Sequence, residues 1–148
     1  MAPPASSEPS SAVLMFIAHR AAEGQVLERL HTVGFDDLTP AQCRLAQRLS
    51  PSGIRLTDLA EQAGVTKQTA GALVDELERH GYVLREADPD DARARRVVLT
   101  ERGRQMCHAA TEEVGRIEQQ WREHLGEPAY RQWRAALVAL REITDPYR

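Results

Sequence analysis

Four hydrogen-bonding side chains in a row, Thr66, Lys67, Gln68 and Thr69, begin a helical pattern in the middle of the chain. Threonine is a favoured helix N-cap because its hydroxyl accepts from first-turn N–H groups that otherwise lack a partner. Lysine can bond guanine and glutamine can bond adenine in the major groove. The first turn of the second helix in a helix-turn-helix contacts base edges. These side chains are therefore candidates for reading DNA, and the alternative is an ordinary capped helix in a small core.

The flanking residues have the spacing of two short helices joined by a turn. Thr57 is expected to cap the first helix, Gly64 to end it in a left-handed conformation, and Gly81 to end the second. Apolar residues at three- and four-residue steps mark the buried sides: Leu59, Ala60 and Ala63, then Ala70, Leu73, Val74 and Leu77. A Gly-containing turn between two such helices indicates a helix-turn-helix.

A charged β-hairpin is predicted directly after this unit. Residues 82–85 and 96–99 are strand-like, and residues 88–95 between them are a turn followed by arginines. Arg93, Arg95 and Arg96 are placed to reach phosphates or the minor groove, although side-chain alternation directs only one of Arg95 and Arg96 towards DNA. The acidic residues are expected to bond the turn backbone or to hold a neighbouring arginine.

Several side chains of this region have structural alternatives. Arg93 can form an ion pair with Asp91 or Asp88, and it can do this while also contacting DNA. Arg85 is expected to pair with an aspartate of the charged β-hairpin, which is the wing of a winged helix. Arg55 and Arg79 receive no role from the sequence.

A helix-turn-helix followed by Arg85, Asp88, Asp91-Ala92-Arg93, Leu99-Thr100 and Gly103 resembles the MarR family of bacterial transcription regulators. The motifs cover residues 38–103, and the flanking helices match by layout. The resemblance implies a homodimer on double-stranded DNA at a pseudo-palindromic operator, with repression relieved by a ligand, although activation is equally compatible with the sequence. It also makes Arg85, Asp88 and Asp91 wing-structuring residues. Relatives often carry Ser and Arg where this chain has Gly71 and Ala72. Base recognition would then depend on Lys67, Gln68, close backbone approach at Gly71 or a methyl contact from Ala72.

The resemblance also implies a site for a small phenolic or other anionic effector between the dimer helices and the DNA-binding lobe. The residues that would line it are Phe16, His19, Arg20, Cys43, Met106 and His108. Their alternative roles are core packing and solvent exposure. Some relatives sense oxidants through a cysteine, so redox sensing through Cys43 or Cys107 is an alternative function, although only His108 stands beside either thiol.

The predicted fold is mainly α with a small β-hairpin wing (α+β), in which helices at 12–34 and 101–144 flank the winged helix-turn-helix at 38–103. We expect residues 1–11 to be a disordered tail and residues 12–148 to be a single domain. Strong start signals for the other helices are Thr39-Pro40-Ala41-Gln42 and Thr100. The long flanking helices carry apolar stripes, which predict a partner surface and a dimer.

Composition limits the classes of function. Net charge is −3, and residues 55–105 hold nine Lys/Arg and ten Asp/Glu, so DNA affinity must come from the placement of charges. No apolar run approaches the ~20 residues of a membrane span, and the start of the sequence lacks the features of a secretory signal, so a cytoplasmic protein without a membrane partner is expected. Metal-ligand spacings, cofactor motifs and catalytic motifs are missing, which argues against an enzyme. The acidic charge alone favours a winged-helix module that binds protein instead of DNA.

Overall fold

The computed structural model describes residues 8–147, and in this range the chain forms six helices and three strands. Their bounds are α1 Ser11–Thr32, α2 Pro40–Ala46, β1 Ile54–Arg55, α3 Leu56–Ala63, α4 Lys67–Arg79, β2 Val83–Asp88, β3 Asp91–Leu99, α5 Glu101–Leu125 and α6 Glu127–Thr144. The predicted fold class is confirmed. Residues 1–7, which make up most of the predicted tail, lie outside the described range, and α1 starts at Ser11, capped by Ser10.

The wing is an antiparallel sheet with the order β1-β3-β2. The two wing strands are longer than the sequence predicted, and only Pro89 and Asp90 remain as the turn between them. Residues 91–95, which the sequence predicted to lie between the strands, belong to β3. In an antiparallel pair the backbone groups bond across the strands, so a projecting ribbon tolerates charged side chains that have low strand propensity.

The predicted N-cap residues of α2, α4 and α5 are found in the structure, and the predicted cap of α3 is not. Thr39 and Gln42 form the predicted capping box, and Thr66 and Thr100 each accept an N–H from the third residue of their helix. Thr57 does not cap α3 as predicted. The N-cap residue is Arg55, which makes no side-chain cap bond, because β1 leads directly into the helix.

Gly103 lies where α5 crosses the start of β2. A Cβ at this position would stand 2.1 Å from the carbonyl oxygen of Tyr82 and 2.9 Å from a side-chain carbon of Leu99. The same carbonyl accepts the N–H of Thr100 at 3.0 Å. The Leu-Thr-x-x-Gly pattern therefore caps α5 and allows its backbone to contact the base of the wing.

The flanking helices leave apolar side chains in solvent. Five consecutive residues of α1 are exposed, and further exposed apolar residues lie on α5 and α6: Val13, Leu14, Met15, Phe16, Ile17, Val114, Leu125, Val138, Leu140 and Ile143. α1 packs against α5, and contacts of α1 with α2 and of α5 with β3 join these helices to the winged lobe. Within the described range, the helices are too short or too polar to cross a membrane.

Candidate nucleic-acid interface

The first turn of α4 presents its polar side chains to solvent. The hydroxyl of Thr66 accepts from the Thr69 N–H at 3.1 Å and lies 3.0 Å from the Thr69 hydroxyl, so these two threonines hold the start of the helix. Lys67 and Gln68 are exposed, and within residues 8–147 neither side chain forms an ion pair or a hydrogen bond with another residue. They are free to contact a ligand outside the chain.

The opposite side of α4 is fixed in the core. Ala70, Val74 and Leu77 are fully buried, whereas Gln68, Ala72, Asp75 and Arg79 are exposed at steps of four, three and four residues. These four exposed residues form the outer face of the helix. Gly71 lies beside this face and is partly buried, which is compatible with the close approach that the sequence suggested.

Arg85 on β2 holds α4 and not the wing. Its guanidinium lies 2.8 Å from a carboxylate oxygen of Asp75 and donates to the carbonyl of Gly71 at 3.2 Å, and its N–H donates to Glu78 at 2.9 Å. The expected pairing of Arg85 with a wing aspartate is therefore wrong. The reason is that β2 packs against α4. Arg85 thus contacts two of the three acids on the distal half of the helix, Asp75 and Glu78.

The wing aspartates organise the hairpin. Asp88 is 8% exposed, and it accepts from Arg55 Nε at 2.7 Å and from the Asp90 N–H at 2.8 Å. Asp91 accepts the N–H of Arg93 at 3.0 Å. The hydrogen bond and charge of Arg55 hold the pKa of Asp88 below its ordinary value. The sequence predicted such bonds for the acids but missed Arg55, because 33 residues separate the partners and only the β1–β3 pairing brings them together.

Ion pairing divides the nine cations of residues 55–105 into two groups. Five have an acidic partner within 4.0 Å: Arg55 with Asp88, Arg85 with Asp75, Arg96 with Glu86, Arg102 with Asp37 and Arg104 with Glu101. The remaining four form no ion pair within the described residues: Lys67, Arg79, Arg93 and Arg95. The cations without a counter-charge therefore lie at the two ends of α4 and on β3 next to the hairpin turn.

Arg95 and Arg96 face opposite sides of β3, as their alternation predicted. Arg96 lies directly across from Glu86 in the strand register and pairs with it at 2.7 Å. Arg95 shares the other face with Val97, beyond the end of the buried core, and Arg93 is exposed where the register between β2 and β3 shifts. Arg96 is thus already compensated, whereas Arg93 and Arg95 keep their full charge. Arg79, which has no role predicted from the sequence, likewise forms no ion pair within the described residues.

A polar cluster, consisting of Asp37, His80, Tyr82 and Arg102, joins the loop before α2, the end of α4 and the start of α5. The Tyr82 hydroxyl donates to Asp37, and the Arg102 guanidinium lies 4.3 Å from the Tyr82 ring centre and donates to the His80 carbonyl. Burial alone would raise the pKa of Asp37, but the Tyr82 bond and the charges of Arg102 and His80 lower it. No sequence pattern predicts this cluster, because Asp37 and Arg102 lie far from His80 and Tyr82 along the chain.

The proposed effector residues separate in the structure. Cys43 and Met106 line a cavity of about 350 Å³ between α1, α2 and α5, and Arg20 lines an adjoining cavity of about 190 Å³ that also contacts Cys43. Phe16, His19 and His108 are exposed and line neither cavity; the two histidines face Glu23 and Glu112 on their own helices. The first turns of α1 extend beyond the lobe, which places Phe16 away from the cavities.

Neither cysteine has the environment of an activated thiol. Burial raises the pKa of Cys43 to about 11, with a further contribution from the Glu23 carboxylate, and burial also raises the pKa of Cys107. Thiolate is the reactive form, and raised pKa values keep both groups protonated at neutral pH. The geometry therefore gives no support to the redox-sensing alternative. No group of three or more potential metal ligands occurs among the described residues.

Comparison with known proteins finds similarity to one family. Residues 36–94 match the model of the MarR family. Transcriptional regulator PA4135 shares 28% identity with a TM-score of 0.71, over 92% of this chain and 98% of its own. A crystal structure of MarR shares 25% identity with a TM-score of 0.73, over 88% and 94%. NadR, solved in complex with 4-hydroxyphenylacetate, shares 24% identity with a TM-score of 0.70, over 96% and 99%.

A search of curated protein sequences found no significant match. MarR-family proteins are DNA-binding transcription regulators and not enzymes, and the exposed α4 turn and the wing cations have the chemistry that such a regulator needs. The winged helix-turn-helix of this chain, the match over residues 36–94 and the shared fold point the same way: the chain is similar to the MarR family of transcription regulators in its winged lobe and in its overall fold.

Proposed function

We propose that the chain is a homodimeric repressor that binds a pseudo-palindromic operator, with Lys67 and Gln68 in the major groove and Arg93 in the minor groove. The observation that carries this proposal is the distribution of uncompensated charge. Five cations of the lobe are paired with acids, and those without a partner in the described range lie on α4 and on β3 near the hairpin turn. An acidic chain can bind a polyanion only if such a local surface exists.

Base recognition is assigned to the first turn of α4. Lys67 suits guanine O6 and N7, and Gln68 suits the adenine edge. Ala72 is exposed one turn further along the same helix, where its methyl can contact a thymine methyl. The hydroxyls of Thr66 and Thr69 and the guanidinium of Arg95 are assigned to phosphates, which set the register of the protein on DNA.

A homodimer is proposed because of the apolar surface that the flanking helices leave exposed. Phe16 is 58% exposed, Val138 is 54% exposed and Ile143 is 85% exposed. Exposed apolar patches of this kind mark interaction sites. A two-fold dimer would also present two α4 helices at a spacing of about one DNA turn, ~34 Å, which is the usual half-site separation.

Relief of repression is assigned to a small ligand in the cavity between α1, α2 and α5. The volume of about 350 Å³ lies within the range of small-molecule sites. The complex of NadR with 4-hydroxyphenylacetate supports a ligand-bound state for a protein of this fold. A ligand shifts the protein from the operator only if it binds the DNA-free conformation more tightly than the DNA-bound one.

The test is to select genomic fragments bound by the purified chain and to measure the stoichiometry on the enriched site. A two-fold symmetric site that takes two chains is expected. Lys67→Ala and Gln68→Ala should each weaken discrimination at one base position by about 1–3 kcal/mol, whereas Arg104→Ala, whose charge Glu101 compensates, should not alter it. Failure to enrich any fragment would favour the protein-binding alternative, and one chain per site would refute the homodimer.

A further inference from the structure

The cavity between α1, α2 and α5 has an uncharged lining. Its walls include Val26 and Leu30 of α1, Ala46 and Leu49 of the α2 region, and Met106 of α5. The polar groups that reach it are few and neutral: Gln47, Thr111 and the thiols of Cys43 and Cys107. Within the described part of the chain, no acidic or basic side chain lines this cavity.

An anionic ligand would lose its hydration here without gaining a counter-charge. Burying an unpaired carboxylate is far more costly than burying a neutral polar group. Two cations line the adjoining cavity, where Arg44 already lies 3.3 Å from Glu23 and Arg20 lies over the ring of Phe16. The Glu23 carboxylate also contributes to the raised pKa of Cys43. The lining of the larger cavity therefore offers a buried anion no counter-charge.

The neutral polar groups can satisfy one hydrogen-bonding group of a ligand. The Thr111 hydroxyl donates to the Cys107 carbonyl at 2.9 Å, so its oxygen remains able to accept from a ligand. The amide of Gln47 can donate and accept, and this residue is exposed at the rim. Apolar cavities of roughly 150 Å³ take up benzene, so the volume of about 350 Å³ suits one or two rings.

We propose that the effector of this chain is a neutral, mainly apolar molecule of one or two rings, which bonds Gln47 or Thr111 through a single hydroxyl or amide group, and that carboxylates are excluded. This inference narrows the phenolic or anionic class that the resemblance implied, and it rests on the assignment of the cavity as the effector site. In this respect the chain would differ from NadR, whose ligand is named as a carboxylate.

Two probes of matched shape test the proposal: 2-naphthol, which is neutral at neutral pH, and 2-naphthoate, which is an anion. Calorimetric titration of the full-length protein is expected to show at least about tenfold tighter binding of 2-naphthol. Ala110→Phe, which fills the cavity from α5, should abolish this binding. Equal affinities, no binding of 2-naphthol, or unchanged binding by a folded Ala110→Phe variant would each overturn the proposal.

A variant that adds a positive charge gives a second test that does not depend on filling the core. Gln47 lines the cavity and is exposed at its rim, so Gln47→Arg is expected to be accommodated and to supply a guanidinium. Binding of 2-naphthoate should then become tighter by about tenfold, whereas Leu84→Arg on the exposed face of β2 should not change it. If Gln47→Arg does not improve 2-naphthoate binding, the cavity does not set ligand charge and the proposal fails.

Operator affinity is measured separately with and without 2-naphthol. If 2-naphthol binds as expected and the DNA is released, the result supports both the cavity as the effector site and the proposed DNA-binding function. Binding of 2-naphthol without release overturns its effector role but leaves the charge selectivity and the DNA-binding function intact. Loss of operator binding in the ligand-free protein would contradict the proposed function itself and not the chemistry of the cavity.

Discussion

Replacement of Arg93 by glutamine tests whether uncompensated charge on the wing contributes to DNA binding. Glutamine keeps most of the side-chain stem and removes the charge. The matched control is the double substitution Glu86→Gln/Arg96→Gln, which removes a cation and its 2.7 Å partner together and leaves net charge unchanged. Both sites lie on the same hairpin. A difference in DNA binding between the two variants therefore reflects whether the arginine is ion-paired, and not where it lies.

The magnitude follows from the number of unpaired cations. The four unpaired cations of the lobe become eight in a dimer, and each phosphate that they neutralise contributes about −0.9 to the slope of log affinity against log salt. The wild-type slope is therefore expected to reach about −7. Arg93→Gln removes two cations per dimer and should reduce it to about −5. If the lines meet near 1 M salt, affinity at about 0.1 M falls by roughly sixtyfold.

The assay is titration of a labelled operator at several salt concentrations, with fluorescence anisotropy as the readout. The Glu86→Gln/Arg96→Gln protein should give the wild-type slope. A wild-type slope in Arg93→Gln would refute the assignment of Arg93 to a phosphate or the minor groove. A reduced slope in the double variant would show that ion pairing in the free protein does not determine which cations reach DNA.

Three further outcomes follow from the structure. Gly103→Ala should lower the free energy of unfolding by roughly 1–3 kcal/mol because its methyl would meet the Tyr82 carbonyl, whereas Gly115→Ala in the same helix, with nothing within 4 Å, should raise it by up to ~1 kcal/mol in urea titrations. Because the pKa of Asp37 is lowered on folding, its stabilising contribution is complete above the ordinary value of 3.8 and is lost as pH falls through the folded value. The difference in stability between wild type and Asp37→Asn should therefore shrink in acid, and a difference that does not vary with pH would contradict this. Cys43 should react slowly with a disulfide reagent at neutral pH, and its rate should rise towards pH about 11; fast labelling at neutral pH would restore the redox alternative.

The sequence by itself determined the local elements of the fold. Thr66 and Thr100 cap helices, Gly64 ends one with φ of 68°, and the capping box at Thr39 forms as predicted. These features depend on groups within about four residues of one another, so the order of residues is enough to identify them. The MarR-type motifs had the same advantage, because they lie within one continuous stretch.

Tertiary structure decided which charged residues remain available. Arg85 was assigned to the wing but holds α4, and Arg55 had no assignment but pairs with Asp88. The charged residues at the start of β3 have low strand propensity, so the sequence did not indicate that the strand begins at Asp91. In the register of this longer hairpin, Arg96 lies opposite Glu86. Ion pairs of this kind depend on strand register and on which helix packs against which strand. The sequence lists the cations, but the pairing that leaves Arg93 without a counter-charge among the described residues is a property of the assembled fold, because electrostatic attraction acts between groups that are close in space.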